Sequence, residues 1–484
     1  MHKRFVTNIV ARIVLVVCVL MLFPLLWAVL DNAHSREVRA FAGTIVFGLF
    51  TSGVILARVR LCKADFDKIT AKDGLAIVGL SWVLLSALGA LPLYFSGVVA
   101  TFTDAFFEVA SGFTTTGATI FTDIEALPRG ILFWRSLTHW LGGMGIIVLY
   151  IALLPALGAN TFQLYKAEAP GLDVERIDPR IRETAKKLWT IYFGFTILQT
   201  LLMMAGGMDL FDALCHTFGT IATGGFSTKN ASLGHYNAYL QWVVIIFMYL
   251  AGVNFILHFQ MIRGKFESVF KNEELRIYTG LIVFLITVFA LVLGMMELSD
   301  APVRDAAFQV VAIITTTGFG TADFNLWPTG LQFILVMLMF VGGCGGSTGG
   351  GIKIVRFVLS VKIALRSIHQ TVIPNAVMSI RFNNKSLSDS VVAGVLSYFT
   401  IFTLLFLSGA MLLTITEECD LVTSFTASVS ALSNIGPGLA KIGPTENYAW
   451  MSNPGKWILT FLMLAGRLEL YSILILFMPT TWKK

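Results

Sequence analysis

Four short segments rich in threonine and glycine are the positions in this sequence that could bind an ion. We name them glycine loops 1 to 4: Thr115-Thr116-Gly117, Thr223-Gly224-Gly225, Thr316-Thr317-Gly318 and Asn434-Ile435-Gly436. Threonine hydroxyls and backbone carbonyl groups can replace the water shell of a cation, and glycine allows the positive φ or close approach that such a loop requires. None of the loops contains a carboxylate, which divalent ions usually recruit. The loops therefore favour a monovalent cation.

The residues before each loop predict a short helix. A helix-capping residue type lies 13 positions before the last glycine of every loop: Asp104, Asp212, Asp305 and Thr423. About nine apolar residues follow, which as a helix reach only ~15 Å, half of a bilayer core of ~30 Å. Because a helix carries partial negative charge at its C-terminus, four such half-helices would present a field that suits a cation.

Long apolar segments flank the half-helices. Ten of them are long enough to span a bilayer at ~20 residues each: residues 12–31, 40–58, 74–97, 130–158, 187–207, 238–262, 277–297, 328–358, 391–415 and 456–478. The last eight form four pairs, and each pair encloses one half-helix with its glycine loop. The sequence therefore predicts an all-α polytopic membrane protein with four membrane-pore-membrane repeats in a pseudo-fourfold arrangement, preceded by two extra N-terminal helices.

The predicted divisions of the chain follow these units. Residues 1–73 hold the two N-terminal helices, and four pore repeats follow: residues 74–182, 183–271, 272–388 and 389–484. Four copies in register indicate internal repetition. The alternative is that the glycines only let re-entrant turns pack. The longer polar intervals, 158–182 and 366–389, are too short for a separate soluble domain.

Composition places the chain in a membrane. It is 56% hydrophobic and 13% charged, with a mean hydropathy of +0.77, whereas soluble domains average about 25% charged residues. The five cysteines show no zinc or redox spacing, and neither a metalloprotease motif nor a nucleophile elbow is present. We therefore expect no enzyme and no bound cofactor. The net charge of +6 reflects membrane-flanking loops and implies no nucleic-acid partner.

Loop charges predict the orientation. The segments that contain the half-helices hold 14 acidic and five basic residues, whereas the opposite loops and both termini are basic. By the positive-inside rule, both termini lie in the cytoplasm and the glycine loops open outward. The outer acidity is either that of ordinary solvated loops or a field that concentrates cations at a mouth. The basic stretch 366–385 is either a docking face for a regulatory subunit or a membrane anchor.

A second glycine-rich stretch, residues 342–351, interrupts the eighth apolar segment, and we name it the Gly-rich segment. It makes a poor helix, at about 1 kcal/mol per glycine relative to alanine. We interpret its central residues as a flexible gate below the glycine loops: Gly345, Gly346, Ser347, Thr348, Gly349 and Gly350. The alternative is a close helix-packing face. Arg467, near the middle of the last span, is either a positive barrier in the cation path or part of a structural ion pair with Glu469 or with another helix.

The glycine loops and the Gly-rich segment resemble a known family. Thr-Thr-Thr-Gly-Phe-Gly at 315–320, the single glycine per repeat and the stretch 341–353 are similar to the TrkH/KtrB/HKT superfamily of potassium transporters. The two extra N-terminal helices resemble its TrkH branch, the membrane subunit of the bacterial Trk potassium-uptake system. The resemblance covers essentially the whole chain. Loop 4 departs most from the Thr-Thr-Gly pattern, since Ile435 offers no hydroxyl.

That resemblance carries further expectations. It implies potassium as the transported ion, a bacterial cytoplasmic membrane location, a homodimer, and a cytoplasmic TrkA-type nucleotide-binding regulatory subunit. It assigns one filter glycine to each loop: Gly117, Gly225, Gly318 and Gly436. It also supports a gate at the Gly-rich segment and at Arg467.

Two modes of transport remain open from the sequence. In the first, potassium enters down its electrochemical gradient, where one charge is worth ~2.3 kcal/mol per 100 mV. In the second, a secondary transporter couples potassium to protons or sodium, which requires a titratable residue in the path. His139 and Glu108 are the candidates, and neither repeats. For His139 the alternative is a hydrogen-bonded packing residue.

Overall fold

The computed structural model describes residues 2–32, 35–61, 70–153, 181–374, 378–383 and 385–482. The first ten helices are α1 (Lys3–Leu20), α2 (Leu22–Asn32), α3 (Arg36–Arg58), α4 (Ala71–Ser96), α5 (Phe102–Phe113), α6 (Arg129–Leu153), α7 (Ile181–Ala205), α8 (Leu210–Ile221), α9 (Ala238–Ala251) and α10 (Phe255–Ile262). Cys62 and the polar interval 158–182, apart from its last two residues, lie outside the described residues.

The second half of the chain continues the helical pattern. Its helices are α11 (Phe266–Phe270), α12 (Glu273–Met295), α13 (Pro302–Ile314), α14 (Thr329–Val341), α15 (Ile354–Val372), α16 (Asp389–Thr416), α17 (Leu421–Ser433), α18 (Asn453–Arg467), α19 (Tyr471–Leu474) and α20 (Pro479–Trp482). Short 3-10 helices lie at Ser232–His235, Phe324–Leu326, Ala440–Ile442 and Ile475–Phe477. Two short strands, β1 (Arg381–Phe382) and β2 (Lys385–Ser386), pair antiparallel.

Long apolar helices dominate the described part of the chain. Six segments are long and apolar enough to cross a membrane: Lys3–Asn32, Arg36–Arg58, Lys72–Ser96, Lys186–Ala205, Glu273–Met295 and Asp389–Thr416. Two helix pairs, α9 with α10 and α18 with α19, pass the same test together but are bent by 98° and 118°. The prediction of a helical, polytopic membrane protein is confirmed.

Four half-length helices lie at the centre of the described fold. They are α5, α8, α13 and α17, of 12, 12, 13 and 13 residues. Residues 105–113 of α5 and 306–314 of α13 are all buried, so these apolar runs pack against protein. At 1.5 Å per residue each reaches about 18–20 Å, too short for a bilayer core.

The half-helices begin earlier than the sequence predicts. The predicted N-caps, Asp104 among them, lie within the first turn, and the true caps are Thr101, Asp209, Ala301 and Asp420. Thr101 shows the reason, since its side chain accepts from the Asp104 N–H at 3.1 Å while its hydroxyl donates to the Asp104 carboxylate. The carboxylate therefore stabilises the positive helix N-terminus from inside the helix.

Three of the predicted spans are broken. The break between α14 and α15 coincides with the predicted Gly-rich segment, but the breaks in 238–262 and 456–478 were not predicted. In the first of these, Asn254 caps α10 by accepting from the Ile256 N–H at 2.9 Å. In the second, Glu469 and Leu470 adopt φ of 55° and 60°, and the Leu470 N–H donates to the Ala465 carbonyl at 2.8 Å.

Candidate ion-binding site

Each half-helix ends in the same backbone turn. The first residue of every glycine loop has positive φ: Thr115 (52°), Thr223 (54°), Thr316 (59°) and Asn434 (57°). The N–H of this residue donates to the carbonyl three positions back, and the next N–H donates five positions back, as Thr317 does to Ala312 at 2.8 Å. This is the Schellman ending. Such a conformation costs about 1–3 kcal/mol for a residue with a side chain, so the surrounding structure must hold it.

The four glycine loops contact one another in a closed circle. Their last glycines all have positive φ, between 75° and 99°. A Cβ atom on each would overlap a carbonyl oxygen of the next loop: Gly117 that of Gly224, Gly225 that of Thr317, Gly318 that of Ile435, and Gly436 that of Thr116. Every one of these oxygens belongs to the residue just before a loop glycine. Only glycine fits at these positions without moving the neighbouring loop.

The carbonyls before the glycines are available to a ligand. No described residue donates a hydrogen bond to the carbonyl oxygens of Thr116, Gly224, Thr317 or Ile435. Buried carbonyls without a partner cost free energy, and a dehydrated cation among them would supply one. Ile435 is fully buried and contributes its backbone oxygen like the other three. Its missing hydroxyl therefore removes no carbonyl from the circle.

The side chains of the loops are held by one another. Thr114 pairs with Thr116 and Thr315 pairs with Thr317, with an Oγ1–Oγ1 distance of 2.8 Å in both cases. In loop 4 the Asn434 amide takes part instead, donating to the Thr116 hydroxyl at 3.1 Å. Loops 1 and 3 are thus organised alike, and loop 4 joins loop 1 through its side chain.

A cavity of about 120 Å³ opens beyond the loop glycines, and all four of these glycines line it. Asp123 lies in the chain between two lining residues, and its carboxylate accepts at 2.9 Å from the amide of Asn230, which also lines the cavity. This hydrogen bond lowers the pKa of Asp123, so the carboxylate stays ionised at neutral pH. A negative charge therefore lies next to the lining, which also includes Glu446 and Lys229.

A buried ion pair braces loops 1 and 2. Glu108 and Arg135 lie 2.8 Å apart, with side-chain exposures of 0% and 2%. Glu108 also accepts from the Thr119 hydroxyl and the Ile120 N–H, while Arg135 lies 4.1 Å from the Phe226 ring centroid. Breaking such a buried pair costs about 3–5 kcal/mol. Glu108 is therefore fully engaged in structure.

His139 supports loop 2 from behind. Its Nδ1 lies 2.8 Å from the Gly112 carbonyl, and its Nε2 lies 3.1 Å from the Phe226 N–H. Because an amide nitrogen only donates and a carbonyl only accepts, the bonds require a neutral ring with the proton on Nδ1. A Cβ on Gly224 would overlap this ring. The contacts favour the interpretation of His139 as a packing residue.

The Gly-rich segment crosses the break between α9 and α10. The Cys344 N–H donates to the Gly252 carbonyl at 2.9 Å, and the Phe255 N–H donates to the Gly346 carbonyl at 3.1 Å. At its other end, the Gly350 N–H donates to the hydroxyl of Thr316 at 2.6 Å. The segment therefore joins an interrupted helix to glycine loop 3.

Arg467 holds the Gly-rich segment against α6. Its guanidinium donates to the Thr348 carbonyl at 2.6 Å and to the Gly142 carbonyl at 3.0 Å. The side chain is 2% exposed. Glu469, the local partner considered from sequence, instead pairs with Arg356 at 2.6 Å. Among the described residues, Arg467 makes no ion pair within 4.0 Å.

The structure thus brings all the predicted site residues into one region. The glycine loops form the circle, and Thr348, Gly350 and Arg467 link it to the Gly-rich segment. Sequence reasoning missed Glu274, whose carboxylate accepts from the Gly345 N–H at 2.6 Å. It also missed Tyr448, whose hydroxyl donates to the Gly436 carbonyl at 2.6 Å. Glu274 lies 71 positions from Gly345 and Tyr448 lies 12 positions after Gly436, and no sequence pattern marks either contact.

The fold and the site together define a multi-pass membrane protein of the cation-transport class. A family model described as "TrkH: Cation transport protein" matches residues 38–484. The chain is 40% identical to the Trk system potassium uptake proteins TrkH of Salmonella typhimurium and of Escherichia coli K12, over 100% of each chain. A crystal structure of the potassium transporter TrkH from Vibrio parahaemolyticus matches with a TM-score of 0.89 at 35% identity, covering 100% of both chains.

This chain belongs to the TrkH family of cation transport proteins. The resemblance noted in the sequence is thereby confirmed over the full length. The relatives named above are transport proteins, which agrees with the expectation of no enzymatic activity.

Proposed function

We propose that this chain takes up potassium across the bacterial cytoplasmic membrane through the circle of glycine loops. The observation that carries the proposal is the closed circle of four contacts, in which the last glycine of each loop touches a carbonyl group of the next loop and loop 4 returns to loop 1. A circle of neutral oxygens can replace the hydration shell of a monovalent cation. The names of the relatives, which are potassium uptake proteins, support potassium as that cation.

The finer architecture belongs to the same proposal. We propose ten spans, four membrane-pore-membrane repeats and a pseudo-fourfold axis through the loops. The four half-helices with the same Schellman ending support this arrangement. The orientation with both termini in the cytoplasm rests on the loop charges, and in that orientation the cavity opens to the outer side.

The gate in this proposal consists of the Gly-rich segment and Arg467. Hydrogen bonds from Arg467 to Thr348 and from Gly350 to Thr316 support the assignment. Arg467 binds the Gly-rich segment at Thr348, and the same segment reaches glycine loop 3 at Thr316. A cation leaving the circle would meet both Arg467 and the segment, and opening requires the segment to move away.

A cytoplasmic TrkA-type regulatory subunit is proposed to dock on the face of residues 366–385. The proposal is supported by a connection between this face and the gate, which begins at the hairpin β1–β2. The Asn383 side chain of the hairpin accepts from the Glu273 N–H at 2.8 Å. Glu273 also pairs with Lys362. The next residue, Glu274, binds Gly345 of the gate. Two consecutive residues of α12 thus connect the hairpin to the Gly-rich segment.

We also propose that the chain forms a homodimer, which light scattering of the purified chain tests.

Glu274→Ala is expected to raise potassium flux in the absence of the regulator by about tenfold. Removing the carboxylate leaves the buried Gly345 N–H without this acceptor, which costs about 1–3 kcal/mol, and frees the Gly345 end of the gate. Flux of purified variants in liposomes measures the effect. The matched control is Glu267→Ala on α11, whose exposed carboxylate pairs only with Lys271 among the described residues. If both variants show the same low flux, Glu274 does not help to keep the gate closed.

Cation flux into liposomes containing the purified chain tests the proposal as a whole. Potassium and sodium are compared at fixed voltage, with a pH gradient imposed or removed. Flux that follows voltage, prefers potassium and ignores the pH gradient is expected. Flux that requires a proton or sodium gradient would favour the coupled transporter, although Glu108 and His139 are both held in structural contacts.

A further inference from the structure

The circle of glycine loops has one unequal member. The carbonyl of Gly436 accepts a hydrogen bond from the Tyr448 hydroxyl at 2.6 Å. No described residue donates to the corresponding carbonyls of Gly117, Gly225 or Gly318. Of the four carbonyls that border the outer cavity, one therefore already has a hydrogen-bond donor.

The position of Tyr448 is fixed from several sides. Its side chain is 3% exposed, and its ring centroid lies 5.8 Å from that of Phe107. Its backbone N–H donates to the Thr119 carbonyl in the chain that follows loop 1, at 2.8 Å. A hydroxyl held in this way has little freedom to leave the Gly436 carbonyl.

The backbone of loop 4 differs at the same point. Gly436 has φ of 99°, whereas Gly117, Gly225 and Gly318 have 79°, 84° and 75°. The larger rotation accompanies the hydrogen bond that only this glycine receives from the described residues. The inequality thus concerns the main chain of the loop as well as the tyrosine.

We propose that Tyr448 is a positioning residue that weakens cation binding at the outermost level of the circle. The proposal rests on the proposed function. The hydroxyl proton competes with a cation for the Gly436 oxygen, and its partial positive charge opposes a cation beside it. An ion at this level therefore has three unshared carbonyls and one shared carbonyl. Conduction requires binding sites that ions can leave, and weaker binding at the entrance serves that need.

Tyr448→Phe removes the hydroxyl and keeps the ring. The half-saturating potassium concentration for uptake is expected to fall by about 2- to 10-fold, the range that corresponds to one hydrogen bond. The maximum flux should change far less. The same shift should appear in the potassium concentration that raises the melting temperature of the detergent-solubilised variant, since a ligand that binds the folded state stabilises it.

Tyr236→Phe is the matched control, because its hydroxyl donates to the Asp212 carboxylate at 2.9 Å and to no loop carbonyl. Its half-saturating concentration should equal that of the unaltered chain. A Tyr448→Phe protein whose half-saturating concentration and melting shift stay unchanged, or move to higher potassium, would overturn the inference. If the unaltered chain shows no potassium-dependent flux or melting shift, the proposed function itself fails.

Discussion

Gly318→Ser is expected to reduce potassium flux by about tenfold or more and to remove the preference for potassium over sodium, because a side chain forced into a closely packed site costs about 1–3 kcal/mol and displaces its neighbours. Gly318 has φ of 75°, and a Cβ there would overlap the Ile435 carbonyl and lie 2.8 Å from Pro437 Cδ. Loop 4 would have to shift, which moves one carbonyl of the circle. Parallel potassium and sodium flux measurements in liposomes give both quantities.

A matched control separates strain from displacement. Gly264 has nearly the same φ, 74°, but nothing lies within 4 Å of a Cβ added there. Gly264→Ser therefore imposes the left-handed conformation on a side chain without touching the circle, and its ion preference should be unchanged. A folded Gly318→Ser protein that discriminates as the unaltered chain does would mean that this glycine lies outside the filter.

The glycine loops were predictable because their signal is local and repeated. Each loop needs a glycine with positive φ that approaches its neighbour, and this glycine appears in the sequence at a fixed spacing. The strained first residue of the loop was not predictable, because three loops place a β-branched threonine there and only loop 4 has an asparagine, which adopts the left-handed conformation more readily. The circle uses backbone oxygens, so the side chain of Ile435 could vary.

The starts of the half-helices illustrate a limit of local patterns. Asp is favourable both as a cap and within the first turn, so Asp212 and Asp305 could not be placed to better than one turn. The cap of α13 is Ala301, without any side-chain cap bond, followed by a proline. The spacing of 13 residues does recur in all four half-helices, but it runs from a residue in the first turn to the loop glycine, and not from the N-cap.

The helix breaks depend on contacts between distant segments. Most of residues 238–262 are apolar, which suggests a single span. The bend at Gly252 is stabilised by a hydrogen bond from the Gly-rich segment, which lies almost a hundred residues later in the chain. Glu274 and Gly345 are 71 positions apart. Such contacts leave no periodicity in the sequence, so only the folded chain shows that interrupted helices meet at the Gly-rich segment.

Arg467→Ala is expected to raise flux in the absence of the regulator by at least tenfold, because a like charge about 4 Å from a passing cation costs about 4 kcal/mol at an effective dielectric constant of 20. The substitution removes that barrier. It also removes the bonds to the Thr348 and Gly142 carbonyls, so the Gly-rich segment loses its attachment to α6. Potassium flux at fixed voltage in liposomes, with the chain alone, measures the leak.

Arg467→Lys distinguishes the two contributions. Lysine keeps the charge but lacks the planar guanidinium group that donates to two carbonyls at once. If the barrier depends on charge, flux through Arg467→Lys should be near that of the unaltered chain. If it depends on the attachment of the Gly-rich segment, the leak should be close to that of Arg467→Ala. Both variants must first show a normal melting temperature, because Arg467 is buried. If folded Arg467→Ala stays as closed as the unaltered chain, the arginine serves packing, and the Gly-rich segment must close the pathway without it.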